Sequence, residues 1–374
     1  MKKYILFGAG ICAEKFYFLN VEKLDIVCVF DNNKQGIFYG KPIVRPYYDK
    51  DASIIIAVDD VFKYLAIKSQ LLQMGYKEFE NFIPYTIFDK KVAVAYGNCH
   101  MSAIKEYLQK NEQFSDCYGF YPLAPIQQIN NIEQALGNVV QHADLFVCQE
   151  IRKEYHLGIE YSTEYILKSA PKSCAIICIP NLHGLPKMLF PQLRNNTIFS
   201  NKLNEFHSKV IRHEDVILSE LYENGKSIQE TLKCINNDNL WDKKFISELE
   251  YEFWNKVFDR EKRTHIVISD YIEQNIRKEK LFTDTWHISS GLAHEYAHRI
   301  LHEIGYQEDI SIILPILDAS EVFIYESVKQ ALQLQFTEKT IRNYSYDSCT
   351  YRRKPMTLED YVEAYYAIKR VMEL

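Results

Sequence analysis

The chain has 374 residues, 47% of them hydrophobic and 25% charged, with a formal net charge of −6. That length suits about two domains, and the balance is globular, which excludes disordered, collagenous and coiled-coil chains. An acidic chain lacks the positive field of a non-specific nucleic-acid binder, and no apolar run reaches the roughly 18–20 residues that cross a bilayer. The opening Met1-Lys2-Lys3-Tyr4-Ile5-Leu6-Phe7-Gly8 meets glycine too early for a signal peptide. Nine scattered cysteines without CxxC pairs read as reduced thiols, so a cytoplasmic protein is expected.

In chain order, Tyr4–Phe7 is expected as a strand, Gly8 to Ala13 as a glycine turn, and the residues to about Leu19 as a helix. Asp25–Phe30 and Ser53–Val58 are further strands; the second is apolar throughout, as a strand buried on both faces should be. Gly36, Gly40 and Pro42 mark turns, Phe62–Met74 a helix closed by Gly75, and 84–90 a linker. The pattern then restarts. Lys91–Tyr96 (KVAVAY) reads as a strand, Gly97-Asn98-Cys99 as a turn, His100–Lys110 as a helix, and Ala143–Cys148 and Cys174–Ile179 as buried strands. A helix-rich insertion is expected over about 203–280, then helices over Gly291–Ile304 and Leu358–Met372. Tyr344–Arg353 is expected as a surface loop. Strand and helix alternation predicts two α/β domains with mostly parallel sheets: a small Rossmann-like one over 1–88, and a larger one over 91–374.

The Gly8-x-Gly10-x-x-Ala13 turn, with Asp31 at the tip of the next strand, matches a dinucleotide fingerprint. The first glycine allows the tight turn. The second lets backbone N–H groups approach a phosphate at the helix N-terminus, and Asp31 can accept from a ribose. FGAG, DNNKQGIFYGKPIV and MGYKEFENFI resemble the N-terminal nucleotide-sugar-binding domains found beside glycan-modifying enzymes. The resemblance implies a nucleotide or nucleotide sugar as ligand of residues 1 to about 88, too short a unit for hydride transfer on NAD.

Cys99 directly follows a strand and opens a helix, where chemistry collects in doubly wound sheets. Helix-terminal N–H groups there lower a thiol's pKa and stabilise an oxyanion. Far downstream, Asp284-Thr285-Trp286-His287 sets a carboxylate three residues ahead of an imidazole that it can brace. Together these resemble the first and last blocks of the SGNH hydrolase-like fold, with Asn98 where that fold has Asp and Cys99 at its serine position. The chain also resembles the WcbI-type polysaccharide-biosynthesis acetyltransferases. The residues that carry this are YGNCH (96–100), ADLFVCQEI (143–151), IPNLHGLPKMLFP (179–191) and LFTDTWHISSGLAHEYAHRIL (281–301); His100 stands where the family has Gln. The resemblance implies transfer from acetyl-CoA to a hydroxyl of a capsular or surface glycan precursor.

On this reading Cys99, His287, Asp284 and Gln149 are the catalytic candidates, Gln149 as an oxyanion donor at a strand end. Gly97, Asn98 and His100 complete the turn. Asn181 and His183 line the acceptor side, and Arg152, Lys153 and Lys187 are candidates for the phosphates of coenzyme A. Two mechanisms are open: an acyl-thioester on Cys99, or direct attack by a hydroxyl that His287 deprotonates. Esterase or deacetylase activity and a non-catalytic nucleotide-sugar-binding scaffold are the alternatives, and a homo-oligomer is open.

His294-Glu295-Tyr296-Ala297-His298, with His302 a turn later, satisfies the helical zinc motif H-E-x-x-H. Its apolar residues fill one half of the helix, and the histidines share the other with Arg299 and Glu303. A solvated face is expected there and no metal.

Overall fold

The computed structural model describes residues 2–154, 156–195, 213–306, 321–347 and 350–373. The chain divides into two compact units, Met1–Ile179 with Ile300–Ile310, and Pro180–Arg299 with Ser311–Leu374.

The first unit is built on two parallel sheets. β1 (Lys3–Phe7), β2 (Asp25–Phe30) and β5 (Ala52–Ile56) are its most apolar early runs, and every residue of β5 is buried. They pair in parallel around β1, with β4 (Lys41–Val44) and β6 (Phe82–Pro84) outside them and β3 (Gly36–Phe38) antiparallel on the edge. Helix α1 (Ile11–Asn20) follows the glycine turn, and α2 (Val61–Gln73) is capped by Asp60, whose side chain accepts from the Lys63 N–H. The turns expected at Gly36, Gly40 and Pro42 thus enclose a short hairpin. The expected linker begins with β6, which adds to the sheet.

The second sheet contains β7 (Lys91–Tyr96), β8 (Tyr118–Phe120), β9 (Leu145–Gln149) and β10 (Ala175–Ile179), all parallel, in the order β10-β9-β7-β8. Helices α3 (Cys99–Leu108), α4 (Glu112–Cys117), α5 (Ile132–Leu136) and α6 (Thr163–Leu167) connect them. The two sheets share one continuous apolar core that runs from Phe7, Ile54 and Tyr64 to Tyr96 and Phe146. The division expected at 88–91 therefore falls between two sheets of a single unit.

A buried polar cluster sits inside that core. Lys68 and Glu78 pair at 2.8 Å with 2% and 3% of their side chains exposed. Tyr64 and Tyr121 both donate to the same Glu78 oxygen, at 2.9 and 2.7 Å, and Lys68 donates to the Tyr121 hydroxyl. Tyr121 follows β8 and the other three belong to the first sheet's half, so the cluster ties the two sheets together. Burial lowers the Lys68 pKa and Glu78 opposes that shift.

The second unit is mainly helical, as the charge-rich periodic sequence predicted; 203–212 lie outside the described residues. A two-stranded ribbon pairs β11 (Leu193–Arg194) with β12 (Glu214–Asp215). It leads into α7 (Val216–Glu223), α8 (Ile228–Ile235), the long α9 (Lys243–Glu261) and α10 (Ser269–Asn275). Asp215 caps α7 and Ser227 forms a capping box with Glu230 on α8. After α11 (Ser290–Glu303), in which the unit boundary falls, come α12 (Glu326–Ala331), the hairpin of β13 (Ile341–Asp347) and β14 (Thr350–Met356), and α13 (Leu358–Glu373). The hairpin replaces the surface loop expected over 344–353. α13 packs on α7 and α8 through Tyr365 against Ser219 and Tyr366 against Thr231.

Eight cysteines lie among the described residues, and all are free thiols. No helix there is long and apolar enough to cross a membrane.

Candidate active site

In the second sheet β7 has β8 on one side and β9 on the other, so strand order reverses beside it. Open α/β sheets bind ligands outside the strand C-termini at such a point. Gly97-Asn98-Cys99 occupies it. The Asn98 side chain caps α3 by accepting from the His100 N–H at 3.0 Å. The Asn98 N–H donates to Gln149 Oε1 at 2.8 Å, from the end of β9. A Cβ on Gly97 would lie 2.5 Å from that oxygen, so the close approach of Gln149 requires glycine here.

The Met101 N–H donates to the Asn98 carbonyl at 3.0 Å, so the amides of 98, 100 and 101 are spent on holding the turn. Cys99 stands at the first helical position with a half-buried free thiol, and its N–H is a first-turn donor at the positive end of α3. His100 is buried within α3. Gln149 Oε1 is engaged by Asn98, which leaves the amide NH2 as the donor end of that side chain.

Arg152 and Lys153 follow β9 but are matched by acids. Arg152 lies 3.9 Å from Glu150 and Lys153 2.9 Å from Glu164, and both are half exposed. At the first sheet's own turn, Gly8 has φ +111, and a Cβ there would sit 3.0 Å from the Ala57 carbonyl. Gly10 has open space around it. The Asp31 carboxylate accepts from the N–H groups of Ala9, Asn33 and Lys34 at 2.8–3.0 Å. Burial opposes ionisation, but those bonds prevail and hold the Asp31 carboxyl below its ordinary range. Asp31 therefore braces its own turn.

In the second unit, the Asp284–His287 segment is the tip of a tight loop. The Thr283 N–H donates to the His287 carbonyl and the Ser289 N–H to the Leu281 carbonyl. Asp284 Oδ1 accepts from the N–H groups of Trp286 and His287 at 2.6 and 2.8 Å, and Oδ2 meets His287 Nδ1 at 2.8 Å. Asp284 is 1% exposed. Burial alone would raise its carboxyl, but His287, then His213 and the Trp286 N–H, outweigh burial and lower it. An ionised, buried carboxylate thus fixes the imidazole through Nδ1.

His213 was not singled out from the sequence. Its Nε2 lies 3.9 Å from Asp284 Oδ2, and its ring lies against Trp286, centroids 3.8 Å apart and planes tilted by 34°. The three side chains place one ligand-type atom each within 4.8 Å of one another. The Nδ1–Oδ2 distance of 2.8 Å is a hydrogen bond, shorter than the roughly 3.3 Å between two ligands of a tetrahedral zinc.

Asn181 Oδ1 accepts from the His183 N–H, and the Gly184 N–H donates to the Thr285 carbonyl, which anchors this segment to the Asp284–His287 loop. His183 keeps part of its surface in solvent. Protein packed around the ring, with the charges of His287 and Arg260, nevertheless lowers its pKa to about 4, against the opposing pull of Asp284. Lys187 lines a cavity of about 550 Å³ with Phe190, Arg194, Phe245 and Trp286.

On α11 the apolar half is buried as expected. Glu295 accepts from Arg299 Nε at 2.6 Å, and Arg299 also pairs with Asp270, so the motif's glutamate belongs to an ion-pair network. None of its histidines belongs to a metal-type cluster among the described residues.

Residues 92–309 match the family described as polysaccharide biosynthesis enzyme WcbI. A solved structure of WcbI aligns over 75% of this chain and 90% of that one, with a TM-score of 0.57 and 20% identity, a likeness of fold. It is described as a novel polysaccharide biosynthesis enzyme, in a native form without a disulfide bond between coenzyme A and one of its cysteines. Comparison with curated proteins returned no match.

Proposed function

The chain belongs to the WcbI family of polysaccharide-biosynthesis enzymes, and from that premise we propose that it moves an acyl group, acetyl in the first instance, from coenzyme A to a sugar hydroxyl of a surface-glycan precursor. The observation that carries this reading is the buried Asp284 carboxylate on His287 Nδ1, 2.8 Å away, which prepares Nε2 to take a hydroxyl proton.

In the direct route, Nε2 of His287 takes the proton of the sugar hydroxyl as its oxygen attacks the thioester carbonyl. The coenzyme A thiolate leaves and receives that proton. In the covalent route, the Cys99 sulfur attacks first and its proton passes to the departing coenzyme A thiolate; the sugar oxygen then displaces the sulfur of Cys99, and the hydroxyl proton passes to that sulfur. The second exchange is thioester for ester, and the first is thioester for thioester, nearly isoenergetic. The Cys99 N–H and the Gln149 amide are the oxyanion donors, and Gly97, Asn98 and His100 hold their geometry.

A thioester ligand fits this donor set. A soft thiol at a helix N-terminus suits sulfur exchange, and the Trp286 cavity offers aromatic surface with Lys187 for a phosphate. Arg152 and Lys153 contribute a more diffuse charge, since acids already pair them. Asn181 and His183 serve the sugar, with His183 neutral near pH 7 and hydrogen-bonding as such. Gly8 and Gly10 offer backbone for a nucleotide sugar in the Rossmann-like first sheet, where Asp31 acts by shaping the turn. The second sheet is read as SGNH-like, and the protein as acting in the cytoplasm.

The test is acetyl-CoA consumption with a glycan precursor by the wild type, Cys99→Ala and His287→Ala. Both variants are expected to lose activity. Full activity in both overturns the site. Free acetate formed equally with and without acceptor identifies a hydrolase instead.

A further inference from the structure

Asp284 has a second neighbour besides the imidazole it braces. Its Oδ1 serves two backbone N–H groups, and His287 Nδ1 lies 2.8 Å from Oδ2 and 3.0 Å from Oδ1. His213 Nε2 lies 3.9 Å from Oδ2. The His213 ring lies against Trp286, the residue between Asp284 and His287, and only 16% of the His213 side chain is exposed. One imidazole therefore touches both the carboxylate and the loop residue that precede the base.

We infer that His213 is a positioning residue for His287: it closes the second side of the Asp284 carboxylate and clamps the loop through Trp286. This rests on the reading of His287 as the base. In the resting geometry the contact is about 1 Å longer than a hydrogen bond, and catalytic contacts of this kind tighten when substrate binds. Donation from Nε2 into Oδ2 would then stop the carboxylate from rotating away from Nδ1, and the ring contact would keep the loop from opening. The neighbouring charged and titratable groups are His183, Arg260 at the end of α9, and Tyr361 on α13.

The experiment compares His213→Leu with His213→Gln in the full chain. Leucine keeps bulk and removes the donor, whereas glutamine can place an amide N–H where Nε2 stood. Steady-state acyl transfer is measured with both substrates varied, and proton NMR follows the downfield resonance between His287 Nδ1 and Asp284. His213→Leu is expected to lower kcat about tenfold, ~1.4 kcal/mol at the usual conversion, with each KM within about twofold and the resonance lost to exchange. His213→Gln is expected to restore most of kcat and the resonance. Wild-type kcat in His213→Leu, a change in KM alone, or equal damage in both variants overturns the inference. If His287→Ala itself keeps full activity, the base assignment has failed instead, and the NMR comparison still decides whether His213 orders the pair.

Discussion

Asp284→Asn separates bracing from folding. Oδ1 of Asp284 accepts from the N–H groups of Trp286 and His287, and an asparagine carbonyl can keep both bonds. The loop should therefore stay closed, with a melting temperature close to that of the wild type. The change falls on the other atom. Where Oδ2 accepts from His287 Nδ1 at 2.8 Å, the variant presents an NH2 group. Nδ1 then faces that NH2 at 2.8 Å and the retained oxygen at 3.0 Å; accepting from the nearer NH2 puts the ring proton on Nε2, and the lone pair needed for the hydroxyl proton is gone. Loss of one charge-assisted bond is worth about 1.5–3 kcal/mol, or roughly 10–150-fold. The wrong tautomer can carry the loss toward ~10⁴-fold, the scale known for the same substitution in a serine protease triad. The assay is thiol release from acetyl-CoA with acceptor present. Asp284→Asn within twofold of wild-type kcat, with an unchanged melting temperature, refutes the reasoning.

Removing one partner of the Lys68–Glu78 pair leaves the other charge buried, so Lys68→Met should cost about 3–5 kcal/mol in denaturant unfolding. The double variant Lys68→Met/Glu78→Leu should cost less than the sum of the single changes. Gly97→Ala puts a methyl group 2.5 Å from Gln149 Oε1; kcat should fall at least tenfold, ~1.4 kcal/mol, with the fold retained as judged by circular dichroism. Asp215 is buried, and burial raises its carboxyl to about 7 against the opposing bonds from Tyr325, Leu218 and Ile217. A carboxyl raised in the folded state binds more protons there than in the unfolded chain, so stability should fall as pH rises from about 4 to 7, by at most ~1.4 kcal/mol per pH unit. Asp215→Asn should flatten that slope in melting temperature against pH.

The parallel sheets were legible because a strand buried on both faces needs an unbroken apolar run, and KVAVAY and Ile54-Ile55-Ile56 supply it. The turn after KVAVAY was legible for the same reason: Gly97 ends the run and Asn98 has a capping side chain. The short strands β3, β6 and β8 were not, since three residues cannot show a period and each borders glycine or proline. The shared core of the two sheets was hidden because Lys68, Glu78 and Tyr121 look like surface residues until the fold buries them together. Asp284-x-x-His287 was visible as local spacing. His213 was not, because it reaches that loop from a distant part of the chain and stood in the charged stretch expected as a helix-rich insertion. Arg152 and Lys153 show the converse: charge was legible, but the acids that pair them were not.

The central claim is that Cys99 and His287 serve one reaction. The most direct measurement is kcat/KM for acyl transfer by Cys99→Ala, His287→Ala and the double variant, under one set of conditions. Groups that work as a unit are not additive, so the double variant should be no slower than the worse single one, within about twofold. A double variant whose loss equals the product of the two single losses would contradict the account.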